Sequence, residues 1–373
     1  MKIIYIPTLN LSVDFYRCEQ PAEALIAQGK HGVHIEYMGC DPRAPISWEY
    51  VLHSTTGEHS DKIQQSLIAA FKCFDVIIVQ RFKFAATLRL FKVLREANPN
   101  VKVFVDIDDS ITSVSQSSII DLPQEYFQLT KDQLALSDGV IVTNYFLGHE
   151  VYPYNQNIYI MPNFIRKDNF TYKKDSLEQK DRIRLGYVGA SGHDHDLESV
   201  WDELVDFIDR NDKYELSIHL GGYKPSFLKE SDRIKYKNLS VHISEYPQKL
   251  YRADIDIFIA PLRDLHFNRC KSELKILEAL FMSKPIVVSN VRTFNNDRTR
   301  HMVGKGLYLA KRGEWEKTIL GIENKKHKKL RYLLNKNHSP RKIIDGLTNW
   351  LEDQIEIRDD KPICSYTKYS FII

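Results

Sequence analysis

The residues from Asn268 to Asn290, NRCKSELKILEALFMSKPIVVSN, place two lysines, a serine and two glutamates around the start of a mostly apolar helix. Ser272 is a good N-cap residue, and Leu274, Ile276, Leu277, Ala279 and Leu280 supply the apolar face. The backbone N–H groups of Ser272, Glu273 and Leu274 would then sit at the positive end of the helix dipole. That is a natural place for an anion such as a diphosphate, and Lys271 and Lys275 add charge beside it. Glu278 lies one turn beyond Leu274, where a carboxylate could accept hydrogen bonds from a ribose diol. The same spacing also describes an ordinary amphipathic helix between two strands, and the stretch alone does not choose.

Other residues could act on the same chemistry. Gly189, Ala190, Ser191 and Gly192 follow an apolar run, and small residues let backbone amides approach a phosphate closely. His193 and His195 alternate with Asp194 and Asp196, but two histidines on one loop with no further partner are a weak metal signal, so no metal site is expected. Asp106, Asp108 and Asp109 form an acidic cluster that could bind a cation or cap the following segment. Tyr16 and Arg17 lie where a first strand passes into a helix. Arg17 could meet a phosphate or an acceptor, or be an exposed helix-end charge. Tyr246 could stack on a base or simply pack.

The elements that must position these groups alternate between strand and helix. Lys2–Ile6, Val33–Met38, Asp75–Gln80, Val101–Val105 and Asn157–Asn163 read as strands of a first doubly wound domain, with Ala135–Val142 as the end of a helix followed by a strand and helices over Tyr16–Gly29 and Ala85–Ala97. Ile183–Val188, Glu215–Leu220, Leu239–Ile243, Ile255–Ala260, Ile286–Ser289 and Leu307–Leu309 read as strands of a second, with a helix through Leu197, Val200, Leu204 and Ile208. The polar run Lys167–Arg182 reads as a linker. The basic run within Asn324–Lys342 has Leu330, Leu333 and Leu334 at helical spacing. A solvated amphipathic helix accounts for it, and an anionic membrane surface or nucleic acid could also use it. In doubly wound sheets ligands bind at the carboxyl ends of the strands.

Several of these residues together carry a resemblance. Leu277, Glu278 and Ala279 with Pro285, Ile286, Val287, Val288 and Ser289 look like the LEA and P-VV-S signature of the family-four retaining glycosyltransferases of GT-B fold. SDGVIVTN, MPNF and VFVDIDDS resemble further strands and turns of that family, in order along nearly the whole chain. The resemblance implies two Rossmann-like domains facing across a cleft: 1–166, a linker at 167–182, a nucleotide-sugar domain at 183–342, and a returning helix within 343–373. It implies that Glu278 holds the ribose and that Tyr246 lies near the base. Asp108 stands where the family has a histidine that approaches the sugar. Two departures matter: Cys270 occupies the place of the motif's first glutamate, and Ser283 that of a customary glycine. The basic pair that follows the first strand of the family's second domain is also missing, which would leave the diphosphate to His193, His195 and Lys271.

The expected activity is a hexosyl or pentosyl transfer from a nucleotide-diphosphate sugar, most readily a UDP-sugar, to a hydroxyl. The diphosphate would be stabilised as it leaves, by the helix end with Lys271 and Lys275, and closure about the hinge would exclude water. The resemblance implies no metal and no cofactor beyond the co-substrate. The acceptor could be a glycan, a lipid-linked sugar, or hydroxymethylated pyrimidine in DNA. A non-catalytic nucleotide-sugar binder and a sugar-nucleotide epimerase are alternatives on the same fold.

At 373 residues the chain suits two α/β domains, and 43% hydrophobic with 27% charged residues is ordinary for a globular protein. A net charge of +3 sets up no strong field. The 5 cysteines are scattered without a CxxC pair, which points to a reducing compartment, and the start of the chain reads as a strand rather than a signal peptide. A cytoplasmic location is therefore expected, including that of a host cell should the source be viral. No run is long and apolar enough to span a bilayer, so any membrane contact would be peripheral.

Overall fold

A computed structural model describes residues 1–7, 11–35, 71–81, 86–113, 124–174, 181–190, 193–239, 243–322, 327 and 330–355. The chain forms two compact units. Among the described residues the first comprises 1–112, 124–162 and 340–355, and the second is built on 163–339.

In the first unit β1 (Lys2–Ile6) leads to α1 (Leu11–Asp14), which runs through a π-helical turn (Phe15–Glu19) into α2 (Gln20–Gln28). Gly29 ends α2 in the left-handed region at φ 67°, which glycine adopts without a Cβ clash. β2 (Gly32–Ile35), β3 (Val76–Gln80), α3 (Ala86–Ala97), β4 (Lys102–Ile107), α4 (Gln124–Leu136), β5 (Gly139–Val142), α5 (Tyr145–Val151) and β6 (Ile158–Ile160) follow. The strands form one parallel sheet in the order β2-β1-β3-β4-β5-β6. Ile3, Ile4, Ile77, Ile78, Val103, Val105 and Ile141 are wholly buried, as central parallel strands require when both faces are covered.

The second unit repeats the plan. β7 (Ile183–Ala190), α6 (Asp194–Glu198), α7 (Trp201–Arg210), β8 (Tyr214–Gly221), β9 (Ile234–Asn238) and α8 (Tyr246–Arg252) come first. Then follow β10 (Ile257–Ala260), α9 (His266–Arg269), α10 (Leu274–Phe281), β11 (Ile286–Ser289), β12 (Leu307–Ala310) and α11 (Trp315–Leu320). All strands are parallel, in the order β12-β11-β10-β7-β8-β9. Leu204, Phe207 and Ile208 of α7 pack with Leu216 and Ile218 of β8 and with Trp315 of α11 into one core. The chain then returns to the first unit as α12 (Pro340–Asp353). No helix among the described residues is long and apolar enough to cross a membrane.

Two expectations from the sequence need correction, and a third falls outside the described residues. The strand expected at Leu239–Ile243 lies largely on residues 240–242, outside the described set, and the strand described before it is Ile234–Asn238. β9 is an edge strand in which Ile234 is buried and Lys235 and Lys237 are exposed, so it carries a half-buried alternation rather than an apolar run. The helix expected through Leu197 and Ile208 is two helices, broken at Val200. The basic run holds a short 3-10 helix at Leu330–Asn335 with Leu330 and Leu334 buried, not a solvated amphipathic helix. Tertiary packing decides this: the Arg331 guanidinium lies 4.4 Å over the Phe281 ring and donates to the Phe281 carbonyl at the end of α10 and, at 2.7 Å, to the Tyr172 hydroxyl.

Candidate functional site

In the second sheet the chain moves outward from β7 through β8 to β9, then returns to the other side of β7 as β10. The strand order reverses between β7 and β10, and a crevice for a ligand opens at the carboxyl ends of strands at such a point. The loop after β7 and the loop after β10 meet there. Gly189 and Ala190 end β7, and a Cβ on Gly189 would come within 3.0 Å of the Tyr187 hydroxyl. Ser191 lies outside the described residues.

Asp196 ties the two loops together. Its Oδ1 accepts from the Arg263 N–H at 3.0 Å and from Asn268 Nδ2 at 2.9 Å, and its Oδ2 lies 3.0 Å from His193 Nδ1. Burial alone would push this carboxyl up, but the hydrogen bonds from His193, Arg263 and Asn268 outweigh it and hold it below the usual carboxylate range. His193 is thus engaged with its own loop, and His195 lies 2.8 Å from Glu198. Asn268, itself buried, also donates to the Arg263 carbonyl at 3.0 Å, and its own carbonyl accepts from Thr293 Oγ1 at 2.7 Å. The sequence assigns neither Asp196 nor Asn268 this role, because what marks them is long-range hydrogen bonding.

The loop after β10 delivers the N-terminus of α10. Ser272 is not the N-cap: its Oγ accepts from Asn163 Nδ2 at 2.9 Å, and Glu273 takes the cap position. The N–H groups of Ile276 and Leu277 close the first turn onto the Glu273 carbonyl at 2.9 and 3.3 Å. The amides just before them belong to the helix end whose N–H groups have no intrahelical acceptor. The Glu273 side chain, only 1% exposed, is held by Arg298 Nη2, 2.9 Å from Oε1, and by His338 Nε2 at 2.7 Å. Burial would raise its pKa; Arg298 and His338 overcome this and bring it down to about 2.

One turn on, Glu278 is buried. Its Oε2 accepts from the Tyr246 hydroxyl at 3.0 Å and from Lys275 Nζ at 2.9 Å. Tyr246 presents its ring edge to Phe170, centroids 6.2 Å apart, and directs its hydroxyl at the carboxylate. That arrangement orients Glu278 and makes Tyr246 a brace rather than a free stacking surface. The Lys271 ammonium sits 4.6 Å over the Phe267 ring. Cys270 is wholly buried, so a longer acidic side chain in its place would point into packed residues.

In the first unit Arg17 is not an exposed helix-end charge. It is 1% exposed and gives a two-pronged bond to Asp106, Nε to Oδ1 at 2.9 Å and Nη2 to Oδ2 at 2.7 Å, while Nη1 donates to the Met161 carbonyl at 2.6 Å. Burial works against the Arg17 charge, but the Asp106 carboxylate outweighs it and raises the guanidinium pKa. Burial pushes the Asp106 carboxyl up, while Arg17, which donates to both its oxygens, pulls against that rise. Tyr16 is buried edge-on against Phe15 at 5.0 Å. Asp108, half-buried just past the end of β4, adds its charge to the field on Arg17.

No known sequence family matches the chain, and no curated protein resembles it closely enough in sequence to count as a relative. Solved structures do resemble it. The Anabaena protein Alr3699/HepE, solved in complex with UDP, matches 95% of this chain and 100% of its own at 11% identity and TM-score 0.59. A glycosyltransferase from Rickettsia africae ESF-5 matches 95% and 98% of the two chains at 12% identity and TM-score 0.59. TarM matches 78% of this chain at 14% identity and TM-score 0.55, and this chain spans 58% of TarM. At such identities the likeness establishes the fold: the protein is α/β with two parallel sheets, the GT-B fold.

Proposed function

We propose that this GT-B protein is a glycosyltransferase that moves a sugar from a nucleoside-diphosphate sugar to a hydroxyl acceptor, with retention, as a divergent relative of the family-four enzymes. The observation that carries the reading is the convergence, at the β7/β10 switch point, of the amide end of α10 with a carboxylate braced one turn further along the same helix. An anion at the helix end and a diol at Glu278 are the two polar halves of a nucleoside diphosphate. The UDP held by HepE on the same fold supports UDP as the nucleotide.

In this reading the Ser272 and Leu274 amides with Lys271 and Lys275 hold the diphosphate, where negative charge grows as the glycosidic bond breaks, and the Glu273 amide is taken by its own carboxylate. Glu278 takes the ribose hydroxyls, oriented by Tyr246. Gly189, Ala190 and His193 lie beside the phosphates. The Arg17–Asp106 pair braces the base of the strand end that carries Asp108, and no acceptor role is proposed for Arg17. No metal ligand and no cofactor enters this scheme. The acceptor is a glycan or lipid-linked sugar.

The test is a panel of UDP- and GDP-sugars, assayed for nucleotide release with glycan, lipid-linked and hydroxymethylated-DNA acceptors. Acceptor-dependent release with the anomeric configuration kept is the expected result. Donor isomerisation without acceptor would make the protein an epimerase, and tight binding with no turnover under any acceptor would make it a binding protein.

A further inference from the structure

An acidic residue directly before a helix ordinarily turns its carboxylate back onto the first-turn amides, because both the hydrogen bonds and the dipole favour it there. Glu273 directly precedes α10 and makes no such cap bond; the backbone amide its carboxylate takes is its own. Its carboxylate is instead buried between Arg298, whose Nη2 lies 2.9 Å from Oε1 and 3.0 Å from Oε2, and His338, whose Nε2 lies 2.7 Å from Oε1. Both partners come from distant parts of the chain, and both are fastened. Asn337 Nδ2 donates to the Arg298 carbonyl at 3.0 Å, the Arg298 N–H donates to Asn296 Oδ1 at 2.9 Å, and Asn296 Nδ2 donates to the Thr293 carbonyl at 2.9 Å. Thr293 in turn holds the Asn268 carbonyl at 2.7 Å, which leads back to the loop that opens α10.

The electrostatic consequence is large. Consecutive Cα atoms are about 3.8 Å apart, so a carboxylate at position 273 lies within roughly 10 Å of any anion on the α10 amides. Left uncompensated it would repel that anion; left unrestrained it would cap the helix and compete for the same donors. The frame around Glu273 offsets the charge and, with the carboxylate's bond to its own backbone N–H, keeps it from capping the first turn.

We propose that Arg298 and His338 are positioning residues for the phosphate-bearing ligand: they sequester the Glu273 carboxylate and so keep the N-terminus of α10 open to a diphosphate. This rests on the reading of that helix end as the diphosphate site. Neither residue touches the ligand; both act through Glu273.

A compensating pair of variants tests the inference. Titration calorimetry is run on the full chain with UDP and, separately, with inorganic pyrophosphate, and thermal melts establish that each variant is folded. R298M leaves Glu273 undercompensated and weakens both ligands about tenfold. Adding E273Q, which removes the charge at issue, returns E273Q/R298M to within about threefold of the original affinity. A merely structural role would make the double variant no better than R298M, and that result overturns the proposal, as does a folded R298M that binds both ligands normally. Should R298M not fold, H338L and E273Q/H338L give the same comparison, with a loss of about threefold restored by the second change. Recovery seen with pyrophosphate in a protein that does not bind UDP supports the sequestering role and refutes the nucleotide-sugar reading. A parent protein that binds neither overturns both.

Discussion

Glu278 is the residue on which the proposed donor contact turns, and its surroundings set what substitution should do. The Tyr246 hydroxyl at 3.0 Å and Lys275 at 2.9 Å both bind Oε2, which fixes the carboxylate's rotation. Glu278→Ala should lose about 1–3 kcal/mol of UDP affinity, the range for a hydrogen bond to a charged group together with its desolvated partner. Tyr246→Phe keeps the ring packing against Phe170 but frees the carboxylate, and should lose about 1 kcal/mol. Calorimetric titration of UDP into both variants reads the two losses, and equal affinity across all three proteins would remove Glu278 from the site. His219 is a residue of a different kind. It lies buried on β8 with Nε2 2.8 Å from Ser217 Oγ, and burial, with Lys237 and Arg184 adding to it, pushes its pKa down to about 4. Because the unfolded chain takes up this proton near the ordinary value of 6.5 and the folded chain only near 4, folding loses stability as pH falls through that window. The total is about 3 kcal/mol from this one group. Urea melts between pH 7 and 4 should show the slope, and His219→Gln should flatten it. Glu273 contributes a shift of the same sign in a lower window. Its depressed value of about 2 supplies stability above its ordinary 4.5 that is lost as pH falls toward 2.

At the scale of the element, the end of α10 shows how a serine can stand where a left-handed residue is needed. After the helix ends, the Ser283 N–H donates to the Leu280 carbonyl and the Lys284 N–H to the Ala279 carbonyl, each at 3.0 Å, the paired bonds of a Schellman motif. That motif needs its first non-helical residue in the left-handed region, and Ser283 sits there at φ 61°. A glycine would hold the same φ without a Cβ clash. Ser283→Gly should therefore be neutral to stabilising by about 0.5–1 kcal/mol, and Ser283→Val destabilising by more, both read from denaturant midpoints. The element scale also shows what could be read in the sequence. β1, β3, β10 and β11 were legible because central parallel strands are continuous apolar runs such as VIIVQ and IVVS. β9 was not, since its KYK alternation at a sheet edge looks like a loop. The turn at Leu330 reads as helix by spacing but is set by the grip of Arg331 on Phe281 and Tyr172. In the candidate site Lys275 and Glu278 are i, i+3 neighbours that spacing places on one face, whereas Arg298 and His338 reach Glu273 from 25 and 65 residues away, and no local pattern announces such a partnership.

For the molecule as a whole, the consequential feature is a chain that leaves its first unit after residue 162 and comes back to it at 340. α12 is integral to that first unit. Leu347 and Leu351 are fully buried, Thr348 Oγ1 and Asp345 bond Gln28 of α2 at 2.9 and 2.6 Å, and the Trp350 ring stacks on Tyr159 at 5.3 Å and lies 4.9 Å from Phe104. Removing α12 strips several fully buried apolar side chains of their partners, each of which contributes about 2–5 kcal/mol, a sum comparable to the whole stability of a domain. A chain ending at Ser339 should therefore fail to fold its first sheet. The second sheet has its own core, centred on Leu204, Phe207 and Trp315, and the proposed nucleotide contacts are drawn from the same unit. Residues 163–339 expressed alone should accordingly melt cooperatively and bind UDP within about threefold of the full chain, while transferring no sugar. A fragment that folds but has lost UDP affinity by far more than threefold would show that the nucleotide site draws on the first unit as well, and would move the diphosphate away from the end of α10.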